Sequence, residues 1–104
     1  MIHRMGFRFR LHGKVLPGKP DIVFKTKMKV VFVHGCFWHF HHSCCRPPKT
    51  RRDYWVPKLT QNAKRDKQVR MELRRRGWRS FVVWECELRH PAAVEKRLRK
   101  FLTT

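Results

Sequence analysis

From Val31 to Cys45 the chain carries no Lys, Arg, Asp or Glu, although a quarter of its 104 residues are Lys or Arg. Solubility does not select such a run, so part of it must be interior and part must serve a chemical purpose. It is entered through Lys29-Val30-Val31-Phe32-Val33, apolar nearly throughout, as a strand covered on both faces would be. That strand is expected at the centre of a sheet. The rest of the run holds four of the seven His and three of the four Cys, and Pro47-Pro48 closes it with a stretch that cannot be helical. A functional loop is expected there.

The flanking segments supply partners for that strand. Phe7-Arg8-Phe9-Arg10-Leu11-His12 alternates apolar and polar residues, the period of an edge or outer strand with one buried face. Gly13 and Pro17-Gly18 mark turns, Asp21-Ile22-Val23-Phe24 reads as a second strand, and Lys25 to Lys29 as a hairpin turn. Helix formers dominate from about Lys58 to Arg76, and Gly77 stands where a C-terminal cap belongs, after Arg74, Arg75 and Arg76 in the last turn. Ser80-Phe81-Val82-Val83-Trp84 is a third strand, so the strand–helix–strand order implies a right-handed crossover. Pro91 opens a last helix with Val94, Leu98, Phe101 and Leu102 on one stripe. The expected fold is one α/β domain, with a mixed central β-sheet flanked by helices.

Twenty-six Lys and Arg against seven Asp and Glu leave a net charge of +19, which points to a polyanion as partner. A disordered basic tail is excluded by 41% hydrophobic residues, eight Phe and four Trp among them. Thirteen of the 26 basic residues lie between Arg46 and Arg79, next to the uncharged run. The first residues lack a signal-peptide pattern and no stretch approaches the ~18 apolar residues of a membrane span, so a cytoplasmic location away from membranes is expected. In that reducing compartment, cysteines are metal ligands or buried thiols more often than disulfides.

Cys36, His41 and Cys44 are spaced by five and three, and Cys86 follows the third strand 42 positions later. Thiolates with imidazole suit a tetrahedral structural zinc that staples a long loop in a small chain. Cys45 competes with Cys44 for that role, and buried free thiols are the competing reading of the whole set. Asp21 follows Pro20 at a strand start, where its carboxylate could hold a divalent cation or be an ordinary turn residue. Asp66 is spaced seven residues from both Leu59 and Leu73, which puts a carboxylate on the apolar stripe of the long helix, with Asn62 on the same face. A buried carboxylate needs a partner, and His39 paired to it would make a general base for water. Spacing alone does not rank His39 against His34 and His42. Phe37, Trp38 and Trp55 stand beside basic segments, where aromatics either pack in the core or act as wedges between base pairs.

These residues carry a resemblance. Leu16-Pro17-Gly18-Lys19-Pro20-Asp21-Ile22-Val23, Val31-Phe32-Val33-His34-Gly35-Cys36-Phe37-Trp38-His39, Tyr54-Trp55, Asn62-Ala63-Lys64-Arg65-Asp66, Gly77-Trp78-Arg79 and Val83-Trp84-Glu85-Cys86-Glu87-Leu88 closely resemble the very short patch repair endonucleases. That family is similar in fold to type II restriction endonucleases. Its members nick DNA 5′ to the thymine of a T:G mismatch left by deamination of 5-methylcytosine. The resemblance implies Asp21 as the catalytic Mg2+ ligand, His39 and Asp66 as the catalytic pair, and Cys36, His41, Cys44 and Cys86 as structural zinc ligands. It also implies that Phe37, Trp38 and Trp55 wedge beside the mismatch and that Lys58 contacts the mismatched pair.

The implied partner is double-stranded DNA with a T:G mismatch, bound by a monomer with a functional link to a DNA cytosine methyltransferase and a repair polymerase. In the family a helix with a glutamate precedes the segment matching Gly6-Phe7-Arg8, so an N-terminally shortened domain is the expectation here. Pro57 is expected to break the start of the long helix. The alternative function is a truncated mismatch-DNA-binding protein with weak or no catalysis. A ribosomal or other RNA-binding protein would account for the charge, but not for Asp66 or the Cys/His spacing.

Overall fold

The computed structural model describes residues 6–11, 13, 15–39, 41 and 49–104. His42, Cys44 and Cys45 lie outside the described residues. Four strands, β1 (Arg10–Leu11), β2 (Ile22–Phe24), β3 (Lys29–His34) and β4 (Arg79–Trp84), form one sheet in that order. β3 pairs antiparallel with β2 and parallel with β4, with Val31 opposite both Ile22 and Phe81. A parallel neighbour requires a long crossover, and α1 (Arg52–Arg75) lies on it, while α2 (Pro91–Thr103) follows β4 through a 3-10 turn at Glu85–Arg89.

Alternation along β3 sends successive side chains to opposite faces. On one face Val31 and Val83 join Phe24 and the α2 residues Val94, Leu98 and Leu102. On the other, Val30 and Phe32 join Val23 and Leu73 of α1, with Val69, Trp78 and Val82 packed alongside. The sheet is therefore mixed and covered by a helix on each face, as the pattern of apolar residues predicts. Each fully buried Leu on these helices contributes roughly 1.5–3 kcal/mol by leaving water. Val33, near the end of β3, is 44% exposed, so cover is incomplete where the strand runs into the uncharged loop.

Two expectations need correction. Among the described residues only Arg10 and Leu11 of the Phe7–His12 segment are in a strand. Phe7 and Phe9 pack against Phe24 instead, with ring centroids 6.5 and 6.2 Å apart, and that packing takes the place of ladder pairing. The long helix begins at Arg52 rather than near Lys58 and runs through Pro57. Its start is set by Arg51, whose carbonyl accepts from the N–H groups of Tyr54 and Trp55, both at 3.0 Å, and whose guanidinium lies 5.0 Å from the Tyr54 ring centroid. Asp53 in the first turn suits the helix dipole. Pro57 then forfeits one backbone bond without ending the helix.

The other end of α1 behaves as expected. Gly77 takes φ +88°, the Trp78 N–H donates to the Leu73 carbonyl at 2.9 Å and the Gly77 N–H to that of Arg74 at 3.0 Å, a Schellman closure. Gly18 has φ +74°, and a Cβ there would run into the Val69 side chain, so the turn before β2 lies close on α1. Lys29 is buried at the foot of β3, with its Nζ donating to the Phe101 carbonyl at 2.6 Å. Burial, then the charges of Arg79 and Lys27, push its pKa down. The bond to a carbonyl near the end of α2 compensates the buried ammonium and ties that helix to the sheet.

A candidate catalytic cavity beside a candidate metal centre

Asp21 stands immediately before β2, where its N–H donates to the Val31 carbonyl at 3.1 Å. Its Oδ2 accepts from the Val33 N–H at 2.7 Å, so the carboxylate is anchored on the open end of β3. Beyond that strand the chain turns sharply. The His39 N–H donates to the Gly35 carbonyl at 3.1 Å and the His41 N–H to that of Cys36 at 2.9 Å. This tight turn brings His39 back onto α1, where its Nδ1 bonds to Asp66 Oδ2. The Asn62 amide, one turn earlier, donates to the Trp38 carbonyl at 3.1 Å and fixes the same turn. Asp66 therefore sits on the Leu59–Leu73 stripe for a reason: the gap in apolar packing is where the loop docks.

Asp21, His39 and Asp66 line one cavity of about 250 Å3, together with His34, Lys19, Arg65 and Arg70. His34 stacks on His39 with ring centroids 3.9 Å apart and planes 4° from parallel. It is 5% exposed, and among the described residues its Nδ1 has no hydrogen-bond partner. Burial first, then the charge of His39, lowers its pKa to about 4 against the opposing pull of Asp66 and Asp21. His34 is thus neutral near pH 7 and supplies a buried polar ring rather than a charge. With Asp66 accepting from Nδ1, His39 keeps Nε2 as its basic nitrogen. A carboxylate able to hold a cation, an oriented imidazole and three cationic side chains around one opening suit phosphodiester hydrolysis.

Behind the same loop lies a second cluster. Cys36, His41 and Cys86 bring their ligand atoms within 4.8 Å of one another. The Cys86 N–H donates to Cys36 Sγ at 3.4 Å, and Cys86 Sγ lies 3.7 Å from His41 Nδ1. Glu87 holds this corner by accepting from the Trp84 N–H at 3.0 Å and pairing with Arg97. The His41 ring is stacked on Trp84 at 4.0 Å. Two thiols and an imidazole converging from residues far apart in sequence fit the donor chemistry of zinc.

The aromatic residues gather at the start of α1. Phe37, Trp38 and Trp55 have mutual ring-centroid distances of 5.4, 5.4 and 5.9 Å, and Tyr54 meets Trp55 at 5.0 Å. Trp38 is 53% exposed, so core packing is not its role. Lys58 Nζ lies 5.5 Å from the Tyr54 ring and 5.9 Å from that of Trp55, so a cation sits beside the cluster. Sequence reasoning missed Lys19, Arg65 and Arg70 as lining residues and Trp84 as the shelf for His41. The available signal was that Arg65 and Arg70 flank Asp66 by one position and by one helical turn.

The family described as DNA mismatch endonuclease Vsr matches residues 1–46. The type II nicking enzyme V.XorIIP of Xanthomonas oryzae pv. oryzae is 52% identical over 105 residues, covering 98% of this chain and 76% of that protein. The chain belongs to the Vsr family of very short patch repair endonucleases. Other Vsr-type relatives include the nicking enzyme V.NmeAIP of Neisseria meningitidis, 44% identical over 93% of this chain and 70% of the relative. The DNA mismatch endonuclease Vsr of Escherichia coli is 44% identical over 81% of this chain and 54% of its own length. Among the described residues no helix is long and apolar enough to cross a membrane.

Proposed function

We propose that this Vsr-family chain nicks duplex DNA 5′ to the thymine of a T:G mismatch, by metal-dependent phosphodiester hydrolysis, in repair of deaminated 5-methylcytosine. One observation carries the reading: Asp21 and the His39–Asp66 pair line the same cationic cavity. Lys19, Arg65 and Arg70 hold the phosphate there and fix the duplex in register. His39 takes a proton from the attacking water at Nε2, while Asp66 keeps the ring oriented and stabilises the imidazolium. As water bonds to phosphorus, the bond from phosphorus to the leaving oxygen breaks. Asp21 would hold Mg2+, which when bound neutralises the scissile phosphate and the leaving oxygen. Cys36, His41 and Cys86 would hold a structural zinc, with Cys44 as the proposed fourth ligand.

Asp66→Asn keeps the shape of the pair but favours the wrong imidazole tautomer. Nicking should fall by about 10^2–10^4-fold, with duplex binding within a few-fold of wild type, as read by single-turnover kinetics beside an equilibrium binding assay. An unchanged rate removes His39–Asp66 from the mechanism.

The cluster of half-buried Phe37 and Trp55 under exposed Trp38 supports wedging beside the mismatch, with Lys58 at its rim. Unstacking a base step costs a few kcal/mol, and a mismatched step costs least. Trp38→Ala should therefore shrink the preference for T:G over C:G duplex by about 10-fold or more, measured with matched fluorescent duplexes. Equal preference in the variant and wild type rules out the wedge, and no preference in wild type rules out the mismatch reading.

A further inference from the structure

On the far side of Arg70 from the catalytic cavity lies a larger depression, of about 600 Å3, that nothing in the proposed reaction uses. Arg70 lines both, so the two are neighbours along α1. Arg74, Arg79, Trp78 and Ser80 line the second, and Phe101 closes its far side. No carboxylate lines it.

The cations here differ from the rest of the helix end in their partners. Glu72 engages Arg75 at 2.6 Å and Arg76 at 3.0 Å, which offsets one of the two charges on that side of the helix. Arg70, Arg74 and Arg79 pair with no carboxylate among the described residues. Arg79 opens β4, where its backbone N–H donates to the Met28 carbonyl at 3.1 Å, and its guanidinium lies 5.9 Å from the Phe101 ring centroid. The Arg79 guanidinium, that of Arg74 one turn from Arg70 on the helix, a hydroxyl and an aromatic wall form a receptor for a planar or tetrahedral oxyanion.

We infer that this depression binds a backbone phosphate of the duplex beyond the nick, on the side away from the aromatic cluster. The inference rests on the proposed reading of the catalytic cavity as the place where DNA is cut. α1 carries Trp55 near its start, Asp66 in the middle and Arg74 near its end. At ~1.5 Å per residue Arg74 lies roughly 12 Å past Asp66 along the helix. Along α1 the aromatic cluster, the cutting site and the phosphate clamp thus follow one another in that order. The clamp reads no bases, so it strengthens mismatched and matched duplex equally.

The test uses the full chain with Arg74→Gln and Arg79→Gln combined, and binding to a T:G duplex and its C:G counterpart across a salt series. The slope of log affinity against log salt should shrink by about 0.9, the share of one lost phosphate contact, and the ratio between the two duplexes should stay as in wild type. Shortening the duplex stepwise beyond the nick, on each flank in turn, should erase the difference between variant and wild type on one flank only. The charge-retaining Arg74→Lys, Arg79→Lys pair should keep the wild-type slope. An unchanged slope in the Gln pair overturns the clamp, as does an equal loss in the Lys pair, which would mark a packing defect. A wild type that binds both duplexes alike would sink the mismatch reading, while the slope measured on matched DNA still decides the clamp.

Discussion

Asp21→Ala should bind T:G duplex without nicking it, a loss of about 10^3-fold or more, equivalent to about 4 kcal/mol of transition-state stabilisation. The expectation follows from where the carboxylate sits. One oxygen is occupied by the Val33 N–H, so the side chain is fixed on the sheet and its second oxygen is left to hold a cation in the cavity shared with His39. Alanine also strips the Val33 N–H of its acceptor, at about 1 kcal/mol of stability. Asp21→Asn separates the two effects, because the amide oxygen can still accept while the charge is gone. The Asn variant should melt like wild type and remain inactive in Mg2+. If it nicks at the wild-type rate, Asp21 is an ordinary turn residue.

Cys86→Ser should lower the melting temperature by about 10–20 °C and abolish bound zinc. Cys36, His41 and Cys86 join the end of β3, the loop and the exit of β4, so a shared ion would staple elements that the core alone holds weakly. Losing about 3 kcal/mol in a domain of this size moves the midpoint by that amount. The catalytic turn depends on the same corner, since His39 and His41 lie on consecutive turns of one loop. Nicking should therefore fall in parallel with zinc content. The checks are elemental analysis of purified protein and melting with and without a strong chelator. A wild type without zinc, whose midpoint ignores the chelator, would leave these residues as buried thiols with a neighbouring imidazole.

The sheet and the last helix were legible because their signals are local. Val94, Leu98 and Leu102 repeat at helical spacing and all three are buried against the sheet. Gly77 announces its left-handed cap by composition alone. Asp66 was legible for the opposite reason, as a carboxylate interrupting an apolar stripe must be answered from elsewhere in the fold.

What answered it could not be ranked from spacing, because His39 reaches α1 only through the tight turn over Gly35–His41. His34, five residues earlier, ends as a buried ring stacked on His39. The start of α1 was misjudged because Pro57 reads as a breaker, whereas Arg51 and the aromatic residues after it set an earlier start. β1 was overextended because alternation marks which side chains are buried but does not show whether the backbone finds a partner. The roles of Arg65, Arg70, Arg74 and Arg79 were hidden by abundance. In a chain with 26 basic residues, only the packing distinguishes those that line a cavity from those that face water.

The proposed reaction is the cutting of one strand at a T:G pair in the cavity of Asp21, His39 and Asp66. The most direct measurement incubates the protein with end-labelled duplexes that differ only in T:G, C:G or T:A at one position, in Mg2+ and in chelator, and maps the products at single-nucleotide resolution. One nick is expected, immediately 5′ to the mismatched thymine, in the T:G duplex with Mg2+ only. Cleavage of all three duplexes alike, cleavage in chelator, or an intact T:G duplex bound to folded protein would contradict the proposed reaction.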